Sequence, residues 1–309
     1  MTGGLRLHHV DVFAAAPYGG NGLTVFHDAG GLDGALMQRI TREFRQFESA
    51  FLSREPVAGG AAGHRWRARV FDLAEELDFA GHPLLGAAGV LHHLFGAGRS
   101  ERWELRVGSR TVPVDTERTA AGRYSAVLDQ GAPMFLGRSP VLGLAGLAGL
   151  AGLFGLDVGD LDPDLPPEVV DTGLRYLVVP VRNGALARAR PSGPLAGPLA
   201  ELGARYAYLL DAAVPEGRHW HDDGLLEDVA TGSGAGCAAG YLRRHSRIAD
   251  GAPVTLHQGR FTGRPSRLTV TAHGSPAAVR SVRVGGPVTL VAEGRLYGTP
   301  LQRREGPHG

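Results

Sequence analysis

The sequence predicts a mixed α/β chain built as two similar halves, and three observations carry that reading. Strand-like and helix-like runs alternate along the 309 residues. A stretch beginning at Gly81 recurs in outline at Gly232. Between the two lies a run of Leu, Ala and Gly over residues 141–156 that separates one half from the other.

Residues 7–13 read as the opening strand, with Val10 and Val12 on one face, and residues 23–27 as the next, carrying Thr24, Val25 and Phe26. Residues 34–44 place Leu36, Met37, Ile40 and Phe44 at helical spacing. Strands follow over 49–53 and 65–71, where Trp66, Ala68 and Val70 alternate with three arginines. Pro83 suits a first helical turn, so 83–95 reads as a helix. Strands over 103–107 and 124–128 complete the half, again by alternation.

The 141–156 run is too short and too rich in glycine to cross a bilayer, which takes about 20 apolar residues. Its period of three reads as repeat expansion in a loop or weak helix joining the halves, without chemistry. Beyond it, strands are predicted over 176–181, 206–211, 254–257, 268–272, 279–284 and 288–292, with helices near 199–205 and 234–245. Aligning residues 81–93 with 232–244 gives five identities in thirteen: Gly81/Gly232, Ala87/Ala238, Ala88/Ala239, Gly89/Gly240 and Leu91/Leu242. Each stretch follows an acidic pair, Glu76 with Asp78 and Glu227 with Asp228.

Composition excludes several chemistries. All 32 basic side chains are arginine, so no lysine can form a Schiff base or reach a phosphate in a Walker-type loop. A formal net charge of +1 gives no long-range pull on nucleic acid or membrane. A single cysteine allows no intramolecular disulfide and no cysteine-rich metal site. The first ten residues lack a secretory signal, which points to the cytoplasm.

The matched stretches place His82 and Ser233 where helices begin. A helix start offers free N–H groups and the positive end of its dipole, a setting that binds carboxylates and stabilises developing negative charge. That setting also favours a neutral imidazole at His82. Ordinary helix capping is the alternative for both residues. Glu48 shares a strand face with Ala50 and Leu52, and burial among apolar neighbours raises a carboxyl pKa and readies it to shuttle protons. A solvated or ion-paired Glu48 stands as the alternative, while Arg42 and Glu43 belong on an outer helix face.

Other signals are weaker. Gly234-Ala235-Gly236 fits a relaxed dinucleotide fingerprint, yet the polar stretch 219–231 before it does not read as a buried strand. His219, His221, Asp222 and Asp223 are metal-ligand types without a third cluster at a known spacing, and read as a solvated loop. The pairs His8-His9 and His92-His93 lack a companion pattern and read as surface or packing residues. Cys237 sits near a first helical turn, where a thiol can be activated, but suits a small core position better. No metal site and no cofactor are expected.

Five blocks then fall in order along almost the whole chain: Gly20-Asn21-Gly22 with residues 23–26, Phe47-Glu48-Ser49-Ala50-Phe51, Asp78-Phe79-Ala80-Gly81-His82-Pro83, Glu227-Asp228 through Thr231-Gly232-Ser233 to Gly236, and Gly259-Arg260-Phe261-Thr262-Gly263 with residues 264–266. Together they resemble the PhzF-like phenazine biosynthesis family. The resemblance implies the diaminopimelate-epimerase-like fold: α+β, with two pseudo-symmetric lobes, each a curled and mostly antiparallel sheet around a central helix, and the active site between them. It sets the lobes at 1–130 and 131–309, with a final strand that can return to the first.

The resemblance also implies a cofactor-independent isomerase, commonly a homodimer, acting on a small carboxylated substrate, trans-2,3-dihydro-3-hydroxyanthranilate, in secondary metabolism. Its catalytic positions fall on Glu48, His82 and Asp228, with Glu48 taking a proton from one carbon and returning it to another. Its substrate contacts fall on Gly81, His82, Gly232 and Ser233. Neither nucleic acid nor membrane is an expected partner.

Three features depart from the family pattern. Val229 stands where proline is usual, residues 234–237 vary the small-residue run, and 141–156 matches no block. A single cysteine excludes a two-thiol racemase, since Thr231 stands at the matching position. An epimerase using Glu48 with Asp228, and a non-catalytic binding protein on the same fold, are the competing readings.

Overall fold

The structure, a computed structural model, describes residues 4–55, 65–138, 143–182 and 184–298. It is a mixed α/β protein dominated by strands, and among the described residues no helix is long and apolar enough to cross a membrane. The chain forms two compact units, Met1–Tyr18 with Gly22–Ala126 and Pro287–Gly309, and Gly19–Asn21 with Val127–Gly286.

In the first unit Asn21–His27 runs parallel to Glu48–Arg54, which runs antiparallel to Arg65–Asp72. Arg65–Asp72 pairs antiparallel with the short Glu76–Leu77 and parallel with Ser100–Val107, and the latter turns back antiparallel along Arg110–Ala120. The first strand, Leu5–Val12, lies antiparallel to the end of Ala278–Leu296. Helix Gly34–Phe44 starts at Asp33, whose Oδ1 accepts the Leu36 N–H at 2.7 Å, and buries Met37 and Ile40.

Helix Gly81–Phe95 is the centre of this unit, with every residue from His82 to His92 buried. Such a helix must be apolar on all sides, and its glycines allow close approach. A Cβ on Gly86 would stand 2.5 Å from Leu23 Cδ2, and one on Gly89 would stand 2.7 Å from Val288 Cγ1.

The second unit follows the same succession of pairings. Arg175–Pro180 runs parallel to Tyr206–Asp211, which is antiparallel to Glu216–Trp220. Glu216–Trp220 pairs antiparallel with the short Glu227–Asp228 and parallel with Val254–Gln258, which is antiparallel to Ser266–Ser275. Helix Gly232–Arg244 is its buried centre.

One ion pair occurs at the same place in both units. Glu76 lies opposite Phe71 and is held by Arg69, with Nε to Oε1 at 2.7 Å; Glu227 lies opposite Trp220 and is held by Arg218, with Nε to Oε1 at 2.8 Å. Asp228 therefore shares its register position with Leu77, not with Asp78.

Four expectations need correction. Residues 279–284 and 288–292 belong to one strand, Ala278–Leu296. The Gly285-Gly286-Pro287 sequence reads as a break, but here the strand changes partners, pairing to Ser266–Ser275 up to Gly285 and to Leu5–Val12 from Val288. No ladder bond is asked of the proline nitrogen. The helix expected over 199–205 is Ala196–Glu201, followed by Gly203 at φ 78°.

The glycine-rich run is no mere connector. Leu144–Gly152 is helical, and Leu150, Ala151, Phe154 and Leu156 are buried with Val169, Leu177, Leu209 and Trp220 in the core of the second unit. Val141 and Leu142 lie outside the described residues.

The stretch 219–231, read as polar and partly as a solvated loop, opens inside a strand: His219 and Trp220 end Glu216–Trp220, in which every residue is buried. Its polarity misleads because each polar side chain has a partner. Arg260 Nε donates to Glu216 Oε1 at 2.5 Å, Arg218 holds Glu227, and His219 Nδ1 stands 2.9 Å from the Ala207 carbonyl.

Candidate active site

Of the expected site residues, Glu48, Gly81 and His82 belong to the first unit and Asp228, Gly232 and Ser233 to the second. Each set is built from its own local structure.

Glu48 is the first residue of Glu48–Arg54, a strand whose next four residues are all buried. His82 is the second residue of the central helix, behind Ala80, which caps the helix with no side-chain bond. Pro83 brings no N–H, so Gly81 and His82 carry the backbone donors of that open first turn. His82 Nδ1 lies 3.0 Å from Glu48 Oε2, with side-chain exposures of 9% and 20%. A carboxylate and an imidazole at this distance interact electrostatically, and the positive helix end favours an anion beside them.

In the second unit Thr231 caps helix Gly232–Arg244, also without a side-chain bond. The first helical bond, Ala235 N–H to Thr231 O at 2.9 Å, leaves the N–H groups of Gly232, Ser233 and Gly234 ahead of it. Ser233 Oγ and Tyr176 OH are 2.9 Å apart, and burial pushes the Tyr176 phenol well above its ordinary range, so it stays protonated.

Asp228 is held on both oxygens. Asn21 Nδ2 donates to Oδ1 at 3.0 Å, the Ala230 N–H to the same oxygen at 3.3 Å, and Thr231 Oγ1 to Oδ2 at 2.6 Å. Gln258 ties the rest together, with Nε2 donating to the Asp228 carbonyl and to Thr231 Oγ1, each at 2.9 Å, and Oε1 accepting from Tyr208 OH at 3.0 Å. Asn21 is positioned by its turn: Arg264 Nε donates to Gly20 O at 2.8 Å and Arg264 Nη2 to Gly19 O at 2.9 Å.

Sequence reasoning did not single out Asn21, Gln258, Tyr176 or Arg264 as site residues. Asn21 and Arg264 stand inside recognised blocks, which was a usable signal. Gln258 and Tyr176 had none, because strand pairing alone brings them to the helix start.

The weaker motifs resolve into packing. A Cβ on Gly234 would stand 2.6 Å from Tyr208 Cδ2, and Gln130 fills the space over Gly236, so these glycines admit side chains and not a pyrophosphate. Cys237 is fully buried, 3.4 Å from Thr172 Oγ1, and burial pushes its thiol up to about 12, which removes the thiolate at neutral pH. His92 is likewise a packing residue, with Nδ1 2.8 Å from Thr116 Oγ1.

The chain resembles known proteins over almost its whole length. The family model described as "Phenazine biosynthesis-like protein" matches residues 10–294. The trans-2,3-dihydro-3-hydroxyanthranilate isomerase of Pseudomonas aeruginosa is 34% identical over 296 residues, covering 93% of this chain and 98% of that protein. A solved structure from the same organism, described as a predicted epimerase, aligns with a TM-score of 0.85 and 46% identity over 96% of this chain and 100% of that one. A PhzF family protein from Bacillus anthracis shares the fold, with a TM-score of 0.79 and 23% identity over 94% of this chain and 98% of that chain.

Proposed function

The chain belongs to the phenazine biosynthesis-like protein family and is an isomerase, and on that premise we propose that it moves a carbon-bound proton within a small carboxylated substrate of the trans-2,3-dihydro-3-hydroxyanthranilate type, in secondary metabolism. The observation that carries the proposal is the 3.0 Å contact between Glu48 and His82 at an uncapped helix start.

In this reading the Glu48 carboxylate takes the proton from one carbon of the substrate. The electron pair of the broken C–H bond shifts into the adjacent unsaturation, and the same proton returns to a second carbon, so atoms and electrons balance without a redox partner. His82 positions Glu48 and tempers its charge as the proton arrives. In the first unit Gly81 offers a backbone N–H to an anionic group, and in the second unit Gly232 offers a backbone N–H and Ser233 a hydroxyl. Asp228, engaged by three donors, acts as the organiser of the Ser233 helix start.

The repeated order of strand pairings and the paired Arg69–Glu76 and Arg218–Glu227 bridges support two pseudo-symmetric, diaminopimelate-epimerase-like lobes. The same reading includes a homodimer, which equilibrium sedimentation would register as twice the 32.5 kDa chain mass.

The likeness to a structure described as a predicted epimerase favours a second reading, an epimerase using Glu48 and Asp228. Incubation with the dihydro-hydroxyanthranilate in deuterated water distinguishes the two. Double-bond migration changes the ultraviolet spectrum and labels a new carbon whenever the carried proton exchanges. Epimerisation leaves the spectrum constant while optical rotation decays. No change in either, with substrate recovered intact, would sink both.

A further inference from the structure

The pairs His8-His9 and His92-His93 have no companion in the sequence, but the fold supplies one. His8 on Leu5–Val12 is in register opposite Glu293 on Ala278–Leu296, so the two side chains share a face. The last turn of helix Gly81–Phe95 adds His93. One ligand atom from each of His8, His93 and Glu293 lies within 4.8 Å of the others.

The second observation is independent of that proximity. His8 is 4% exposed, and both of its ring nitrogens are buried without a hydrogen-bond partner. Buried imidazole nitrogens almost always find a partner, so this arrangement calls for a ligand. Its surroundings suit a cation. His8 Nε2 is 3.5 Å from Glu293 Oε2, and the His27 and His93 rings are centred 5.2 and 5.7 Å from the His8 ring.

Outer contacts follow the pattern that fixes metal-binding histidines. His93 Nδ1 is 3.2 Å from Tyr124 OH, which leaves Nε2 for a ligand, and His27 Nδ1 is 3.2 Å from Asp28 Oδ2.

We propose that His8, His93 and Glu293 form a binding site for a divalent transition-metal ion of the zinc class. Two imidazoles and one carboxylate are a donor set that zinc accepts, with bonds of about 2.0–2.2 Å and one position left open. Tetrahedral bonds of that length require ligand atoms about 3.3–3.6 Å apart. His8 is fixed in its strand, so the exposed side chains of His93 and Glu293 close the remaining distance.

The ion would tie the first and last strands to the C-terminal end of the central helix. His82 lies eleven residues earlier on that helix, about 16 Å away along its axis, so proton transfer does not pass through the ion. The inference stands independently of the proposed reaction.

The test uses untagged full-length protein stripped with EDTA and titrated with Co²⁺ and then Zn²⁺. The site predicts one Co²⁺ per chain with visible d–d absorption, displaced by Zn²⁺, and a higher melting temperature with either ion. His93→Ala and Glu293→Gln change exposed side chains, should keep the metal-free melting temperature, and should each weaken binding at least tenfold. Glu48→Gln should bind as the parent does. Absence of d–d absorption and of any melting shift at millimolar metal would overturn the proposal. So would a His93→Ala/Glu293→Gln double variant that binds as tightly as the parent, since the ion would then sit elsewhere.

Discussion

His82 Nδ1 stands 3.0 Å from Glu48 Oε2, joining the start of a strand to the start of a buried helix. The pair couples a group able to hold a proton to one able to balance its charge. Positioned acid–base groups contribute about 10²–10⁴-fold to a rate. Glu48→Gln keeps the shape and loses the base, so kcat should fall about 10³-fold at an unchanged melting temperature. His82→Asn should cost less, about 10–100-fold. Because the two act as a unit, the double variant should be scarcely slower than Glu48→Gln alone. Steady-state kinetics on the three variants checks this, and fully additive losses would mean that the residues act separately.

Asn21 Nδ2 serves two acceptors, Asp228 Oδ1 and the Ala230 carbonyl, each at 3.0 Å. Asn21→Ala leaves both short of a donor in a buried place, at a cost of about 1–3 kcal/mol. Since Asp228 also organises Thr231 at the cap of the Ser233 helix, the loss should reach substrate binding. A rise in KM of about tenfold with a smaller change in kcat is expected, and a pure loss of kcat would instead place this network at the proton-transfer step.

Much of this fold was legible because the two halves use simple alternation. Trp66, Ala68 and Val70 against Arg65, Arg67 and Arg69 declare a strand, and residues 34–44 and 206–211 match Gly34–Phe44 and Tyr206–Asp211. What stayed hidden is buried polarity. His219 and Trp220 read as loop because nothing local reveals that they end a buried strand, Glu216–Trp220, in which Arg218 will find Glu227 nine residues later and Glu216 will find Arg260. The same limit applies at the site. Glu48 and His82 were visible as types at a strand edge and a helix start, but their contact spans 34 residues of chain and only the strand pairings bring it about.

His219 gives stability a pH dependence whose sign can be worked out. Burial lowers its pKa below the ordinary 6.5, and its ring stands 2.9 Å from the Ala207 carbonyl, so the folded chain holds it neutral. The unfolded chain therefore binds the extra proton once pH drops below 6.5. This contribution is constant above that value and declines with falling pH until the lower, folded pKa is reached. Urea midpoints between about pH 7.5 and 5.5 should drop for the parent and drop less for His219→Gln, which keeps a donor but cannot titrate. Equal slopes would assign the acid sensitivity to other groups.

The two equivalent ion pairs should differ widely in worth. Arg69 and Glu76 have side-chain exposures of 20% and 41%, and solvent screens such a pair to about 0–1 kcal/mol. Arg218 and Glu227 are exposed by only 2% and 11%, and the Arg218 guanidinium is further held by the Ala189 carbonyl at 2.9 Å and by the Trp220 and Phe261 rings at 4.3 and 4.4 Å. Removing Glu227 strands a cation that is already desolvated, a loss of about 3–5 kcal/mol in buried pairs. Urea unfolding should therefore find Glu76→Gln close to the parent and Glu227→Gln severely destabilised, although the two glutamates occupy the same register position in their units. Arg218→Lys should also destabilise, since a lysine cannot reproduce the two parallel bonds to the carboxylate or stack between the rings. Equal losses at Glu76 and Glu227 would show that topology, and not burial, sets the strength of the pair.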